Sequence, residues 1–106
     1  MTLEELEQVI AARASADPSE SWTARLLAKG PEKCAEKFGE EAVEAVIEAV
    51  RGDAGALTAE AADVVFHLLV MMHARGVRVA DVMGELDRRQ GQSGLAEKAA
   101  RQKDHE

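Results

Sequence analysis

Apolar residues recur at three- and four-residue intervals along most of the chain, which is the spacing of amphipathic α-helices. Thr2 precedes the first such stretch and Glu5 follows three residues later, as in a capping box. Turn-forming residues separate the stretches, and Pro31 opens one of them directly after Gly30. The pattern predicts five helices, at about 3–14, 21–29, 31–51, 57–75 and 79–90, the second of them brief.

The fourth predicted helix differs from the others because apolar residues cover nearly every side of it. These residues are Val64, Val65, Phe66, Leu68, Leu69, Val70, Met71 and Met72. Such a helix must be buried on all sides, and a chain of 106 residues has little material to surround it. We therefore expect a homodimer or higher homo-oligomer in which these helices share one bundle.

The composition is typical of a single packed domain rich in helix. Hydrophobic residues make up 46% of the chain, charged residues 31% and aromatic residues only 3%, which favours an all-α fold over sheet. We expect one domain over residues 1–106, of which about 91–106 form a polar tail.

The sequence shows no sign of export or of a membrane anchor. The N-terminus lacks a basic segment before an apolar one, and the longest apolar run, Leu68 to Met72, is far below the roughly 20 residues of a membrane span. A single cysteine, Cys34, can form no internal disulfide. We expect a soluble cytoplasmic protein with no membrane partner.

The net charge of −7 repels a phosphate backbone, so the sequence predicts no nucleic-acid partner. Acidic residues can, however, recruit a divalent metal ion that then meets the phosphates of a small substrate. The acidic excess is therefore compatible with a phosphorylated ligand.

Two pairs of acidic residues, each with a spacing of three, fall on consecutive predicted helices. Glu41 and Glu44 share a face of the third helix, while Glu60 and Asp63 begin the apolar fourth one. An unpaired carboxylate in an apolar bundle costs several kcal/mol, and neighbouring carboxylates oppose each other's ionisation unless a cation compensates them. Four oxygen ligands, without Cys or His at ligand spacing, favour Mg²⁺ or Mn²⁺ over zinc.

Simpler explanations exist for each of these residues. A Glu-x-x-Glu pair on a helix is usually a solvated face, and the metal site is predicted from the joint occurrence of two pairs rather than from either one. His67 lies four residues after Asp63 on the same face. One interpretation is that His67 donates a hydrogen bond to that carboxylate without binding the metal ion itself. The other is that it is a histidine packed in the core.

A ladder of cations precedes the acidic pairs at four-residue intervals: Arg25, Lys29, Lys33 and Lys37. Some of these cations are explained by surface ion pairs with neighbouring glutamates, and Lys33 is the first candidate for such a pair. Lys29 lies beside a predicted helix start, where free N–H groups favour an anion, and the hydroxyls of Ser21 and Thr23 add donors upstream. We expect Arg25, Lys29, Lys37, Ser21 and Thr23 to bind phosphate groups.

These residues and spacings closely resemble the phosphoribosyl-ATP pyrophosphohydrolase family of histidine biosynthesis, within the MazG-like nucleotide pyrophosphohydrolases. The superfamily mark, Glu-Glu-x-x-Glu followed by Glu-x-x-Asp, matches residues 40–44 and 60–63. The run Leu27 to Lys33 narrows the resemblance to the histidine-pathway family, and the tail 91–98 looks like that of many bacterial members. Trp22 stands where Tyr or Phe is common, and Phe66 where Tyr is common.

The resemblance implies a MazG-like bundle of four to five helices, completed by dimerisation, and metal-dependent hydrolysis of 1-(5-phosphoribosyl)-ATP to 1-(5-phosphoribosyl)-AMP and pyrophosphate. The metal ligands would be Glu41, Glu44, Glu60 and Asp63. Glu40 is the candidate that orients or deprotonates the attacking water. Two alternatives stay open: a house-cleaning nucleoside triphosphate pyrophosphohydrolase of the same superfamily, and a metal-free helical dimerisation module.

Overall fold

The computed structural model describes residues 1–91 and 98–102. Residues 1–91 form five helices, α1 (Leu3–Ala14), α2 (Trp22–Ala28), α3 (Pro31–Arg51), α4 (Ala54–Ala74) and α5 (Val79–Arg89). Residues 98–102 add a short helical segment. These described ranges contain no strand, so the predicted all-α fold is confirmed. The rest of the predicted polar tail lies outside the described residues.

Side-chain caps fix the starts of three helices. Thr2, Ser21 and Asp53 each accept a hydrogen bond from the backbone N–H three residues later, at 3.1, 3.1 and 2.9 Å. Because Asp53 caps it, α4 begins at Ala54, three residues earlier than the sequence pattern predicts. Gly52, at a φ of 81°, ends α3 in the left-handed region that glycine tolerates best.

The two longest helices, α3 and α4, form an antiparallel hairpin. Each has 21 residues and only two residues join them, so they lie side by side along most of their length. α1 packs against α4 and α2, and α5 packs against α1. The hairpin is therefore the frame on which the shorter helices are arranged.

The hydrophobic core is small and draws on all five helices. Its buried members are Ile10, Leu26, Cys34, Leu69, Val70 and Val79. Those on the hairpin lie at the beginning of α3 and in the second half of α4, which is the end remote from the connecting turn. The hairpin is consequently anchored at one end, and its turn end has fewer neighbours within the chain.

Burial of α4 within one chain is far from complete. Among the eight apolar residues that prompted the expectation of all-round burial, only Leu69 and Val70 are buried, and the others are half-buried. By length and composition α4 is long and apolar enough to cross a membrane. The uninterrupted apolar run from Leu68 to Met72 alone does not indicate this. The core helix of a soluble protein meets the same criterion. Within the described residues, α4 is therefore covered only in part.

One long-range hydrogen bond fastens α5 to α1, and its removal is a test of the fold. Glu7 Oε2 accepts a hydrogen bond of 2.7 Å from the backbone N of Val79, the first residue of α5. Because the acceptor is charged and faces a helix N-terminus, Glu7→Ala should lower the free energy of unfolding by about 1.5–3 kcal/mol. Glu7→Gln keeps an acceptor and should lose less. Chemical denaturation measures both, and equal losses would contradict this account.

Candidate functional site

The hairpin register brings the two acidic pairs face to face. Glu44 and Glu41 lie 8 and 11 residues before Gly52, while Glu60 and Asp63 lie 7 and 10 residues after Asp53. Residues at equal distance from the turn of an antiparallel hairpin are neighbours across it. Because the turn is short, the two acidic pairs lie at similar distances from it and are adjacent across the hairpin.

Three of the four predicted ligands form a compact group of carboxylates. Glu41, Glu60 and Asp63 each offer an oxygen atom, and these oxygens lie within 4.8 Å of one another. Glu41 is buried, Glu60 half-buried and Asp63 exposed, so the group opens toward solvent on the Asp63 side. Glu44 is exposed and lies next to Glu60, rather than within the group of three.

Glu60 experiences the strongest electrostatic conflict in this group. Desolvation raises its pKa above the ordinary value, and the hydrogen bond with Glu44 and the negative charges of Glu44, Asp63 and Glu41 raise it further. Its Oε2 atom is buried and has no hydrogen-bond partner among the described residues. A buried carboxylate oxygen without a partner, surrounded by other carboxylates, fits a hard divalent cation well.

Lys37 supplies part of the missing positive charge. Its Nζ lies 3.4 Å from Glu41 Oε1 and 3.5 Å from Glu40 Oε2, and the hydrogen bond with Glu41 is the main reason that the pKa of Lys37 is raised. Glu40, the candidate general base, has a half-exposed side chain at this outer edge and is not one of the three converging acids. Lys37 thus pairs with the Glu41 side of the cluster, whereas Glu60 keeps its unpartnered oxygen.

His67 is buried next to the acids, with 6% of its surface exposed. Burial is the main cause that lowers its pKa, although the charge of Glu41 and, more weakly, that of Asp63 oppose the shift. The Phe66 ring packs edge-on against it, with centroids 5.3 Å apart. Its Nδ1 has no partner in the described part of the chain, and the predicted hydrogen bond to Asp63 is not among the contacts found there.

The cations of α2 have different roles in the structure. Arg25 Nε donates a hydrogen bond of 3.1 Å to the carbonyl of Pro18 and its second terminal nitrogen contacts Ser19 O at 3.5 Å, so this guanidinium fastens the loop before α2. Lys29 is exposed and forms the C-cap of α2, directly before the glycine that precedes α3. Lys29 is therefore better placed than Arg25 to meet a ligand from solvent.

The two predicted hydroxyl donors lie at the other end of α2. Ser21 Oγ accepts the capping hydrogen bond from Ala24, and Thr23 is buried, with 2% of its surface exposed. The helix between Ser21 and Lys29 separates their backbones by about 12 Å along its axis. The shared phosphate site of Ser21, Thr23 and Lys29 therefore stays a prediction, with the two hydroxyls at the start of α2 and the lysine at its end.

Comparison with known proteins gives a consistent result. The family model described as phosphoribosyl-ATP pyrophosphohydrolase matches residues 3–90. A protein of Dinoroseobacter shibae named phosphoribosyl-ATP pyrophosphatase is 69% identical over 99 residues, which cover 93% of this chain and 97% of the relative. Relatives of the same name from Cereibacter sphaeroides and Ruegeria pomeroyi are 68% and 65% identical, over 93% and 95% of this chain and 96% of each relative.

The matched region contains all five helices and every acid of the cluster. The match extends over nearly the whole length of both this chain and its relatives, so it is not a likeness of one motif alone. The chain belongs to the phosphoribosyl-ATP pyrophosphohydrolase family.

Proposed function

We propose that this chain is the enzyme of histidine biosynthesis that hydrolyses 1-(5-phosphoribosyl)-ATP to 1-(5-phosphoribosyl)-AMP and pyrophosphate. The observation that carries the proposal is the convergence of Glu41, Glu60 and Asp63 in a chain whose relatives are named phosphoribosyl-ATP pyrophosphatase. Those names describe an enzyme, so they disfavour a helical module without catalytic function. They also favour the histidine pathway over the house-cleaning alternative.

The residues that would hold the metal ion are Glu41, Glu44, Glu60 and Asp63. Their ligand atoms are all carboxylate oxygens, which suits Mg²⁺, with Mn²⁺ as the alternative. A divalent cation bound there supplies charge neutralisation for the triphosphate and lowers the pKa of a coordinated water. The unpartnered Oε2 of Glu60 supports this assignment, because a ligand would satisfy it.

The remaining site residues would position substrate and water. Glu40 lies at the exposed rim of the cluster, where it can orient the attacking water or accept its proton. Lys37, on the same rim, and Lys29, on the solvent side of the α2–α3 junction, would bind phosphate oxygens. His67, buried behind these residues, would keep the Glu41 side of the site dry and fixed in shape.

The proposed reaction is tested by incubating purified protein with phosphoribosyl-ATP and Mg²⁺ and measuring pyrophosphate. We expect release by the wild type and a loss of about 100-fold or more in Glu60→Gln and Asp63→Asn, because each removes a charged ligand. Glu36→Gln is the matched control, since that exposed glutamate of α3 pairs only with Lys33, at 3.2 Å, among the described contacts. Absence of pyrophosphate at every metal concentration would exclude the reaction, and faster turnover of deoxynucleoside triphosphates would favour house-cleaning.

The phosphate-binding role of Lys29 gives a second test. Lys29→Ala should lower kcat/KM by roughly tenfold or more while leaving stability almost unchanged, because an exposed charge contributes only about 0–1 kcal/mol to folding. Lys33→Ala is the control from the same ladder, since Lys33 already pairs with Glu36. Melting curves accompany the kinetics. A large loss of melting temperature in Lys29→Ala with normal activity would contradict the assignment.

We also propose that the active form is a homodimer whose interface includes an apolar stripe on α3. The stripe consists of Val43, Val46, Ile47 and Val50, with exposed fractions of 59, 61, 47 and 82%. Their spacing places all four on one face of the helix, and the incompletely buried α4 lies beside it. A second copy of this chain would cover both helices and form a four-helix arrangement.

Sedimentation tests the dimer. The wild type should sediment as a dimer at micromolar concentration, and Val46→Glu should shift it to monomer, because a charge would be buried without a partner. Leu69 is unsuitable for this test because it belongs to the core of the single chain, where a charge would unfold the protein directly. Val82→Glu, on the exposed face of α5, is the control. A wild-type chain that sediments as a stable, active monomer would refute the proposal.

The same proposal treats residues 1–106 as one domain that acts in the cytoplasm. The relatives are named for a biosynthetic activity, and the apolar surface of α4 would be used in the dimer rather than in a membrane. The net charge of −7 continues to disfavour a nucleic-acid partner.

A further inference from the structure

A crevice of about 310 Å³ opens between the end of α1, the loop that follows it, the start of α2 and one side chain of α4. Its walls are formed by Arg13, Glu20, Ser21, Trp22, Thr23 and Phe66. It combines two aromatic rings, one cation and one carboxylate. This volume is at the lower end of the range for small-molecule sites and suits one heterocyclic ring system.

Trp22 is exposed to a degree that packing alone does not explain. Nearly half of its surface, 49%, is accessible, whereas Thr23, Ala24 and Leu26 on the same short helix are buried. Those three residues anchor α2 to the rest of the fold. The indole is therefore available to a ligand that enters the crevice, and its face offers a stacking surface.

The crevice lies close to the acids. Phe66, in its wall, follows Asp63 by three residues on α4, and side chains with this spacing are neighbours about 5–6 Å apart on a helix. In a nucleotide, one ribose separates the base from the α-phosphate. A nucleotide whose phosphates lie at the carboxylate cluster can thus place its base in the crevice.

We propose that this crevice binds the N1-substituted adenine of the substrate, with the Trp22 indole stacked against the ring. The inference rests on the proposed function, since it assigns a site to one part of that substrate. Substitution at N1 leaves the adenine with a delocalised positive charge as long as its amino group keeps both protons. Trp is the best aromatic partner for a cation, and the carboxylate of Glu20 adds charge complementarity in the same crevice.

Arg13 gives the crevice a partner for the group attached at N1. A guanidinium binds phosphate through two parallel hydrogen bonds, and Arg13 is the cation in the crevice wall. The 5-phosphate of the phosphoribosyl group, carried on N1, is the anion that it would meet. Ordinary ATP has neither the ring charge nor this second phosphate, so the crevice would discriminate against it.

Trp22 is the sole tryptophan of the chain, so its fluorescence reports on the crevice directly. We titrate the wild-type protein in EDTA with phosphoribosyl-AMP and, separately, with AMP. The emission should change and saturate with phosphoribosyl-AMP at a concentration at least about tenfold lower than with AMP. An unchanged emission, or equal affinity for both nucleotides, would overturn the inference.

Kinetics of Trp22→Leu and Trp22→Phe provide the second measurement. Trp22→Leu should raise the KM for phosphoribosyl-ATP by roughly tenfold or more with a smaller effect on kcat, and Trp22→Phe, which keeps an aromatic face, should recover most of the loss. Met83→Ala, an exposed apolar residue on α5, is the matched control and should behave as wild type.

The outcomes separate this inference from the proposed function. Normal hydrolysis with a wild-type KM in Trp22→Leu would refute the crevice while leaving the function intact. Equal loss in both Trp22 variants, accompanied by a lower melting temperature, would assign Trp22 to the fold and also refute it. If the wild type releases no pyrophosphate, the function fails, and the fluorescence titration still decides whether the crevice binds an N1-substituted adenine.

Discussion

Mutual repulsion among carboxylates at the centre of the α3–α4 hairpin is the constraint on which the site depends. The two-residue turn fixes the register, and the register places Glu60 against Glu41 and Glu44, while Asp63 lies one helical turn away from Glu60 on α4. Hydrophobic packing at the far end of the hairpin holds the helices together in spite of this repulsion. Lys37 offsets the negative charge of Glu41, whereas Oε2 of Glu60 has no hydrogen-bond partner among the described residues, an arrangement that fits a divalent cation.

The same hairpin accounts for the apolar surface. Because the core occupies the end remote from the turn, the stripe on α3 from Val43 to Val50 is exposed among the described residues, and most apolar residues of α4 are only half-buried. A second copy would complete the burial and enclose the carboxylate cluster in a bundle. The proposed metal site and the proposed dimer interface both lie on this hairpin, so a change in its register would affect both.

Much of the fold could be predicted from local signals. Thr2, Ser21 and Gly52 mark helix ends by capping and by left-handed backbone geometry, and the two acidic pairs share a level because the turn is short. Contacts between distant segments carried no such signal. The attachment of Glu7 to α5, the use of Arg25 to hold a loop, and the crevice around Trp22 all depend on how a turn folds back, which helical periodicity does not encode.

We propose that a divalent cation offsets the cost of ionising Glu60. The pKa of Glu60 is raised in the folded protein, so folding is favoured when Glu60 is protonated. That contribution to stability is lost as the pH rises through the folded pKa. Glu60→Gln imitates the neutral form of the side chain. Thermal unfolding at neutral pH, in EDTA and in Mg²⁺, tests this most directly. We predict that Glu60→Gln melts higher than wild type in EDTA and that Mg²⁺ raises the melting temperature of the wild type alone. A variant that melts lower in EDTA, or that gains as much from Mg²⁺ as the wild type, would contradict the account.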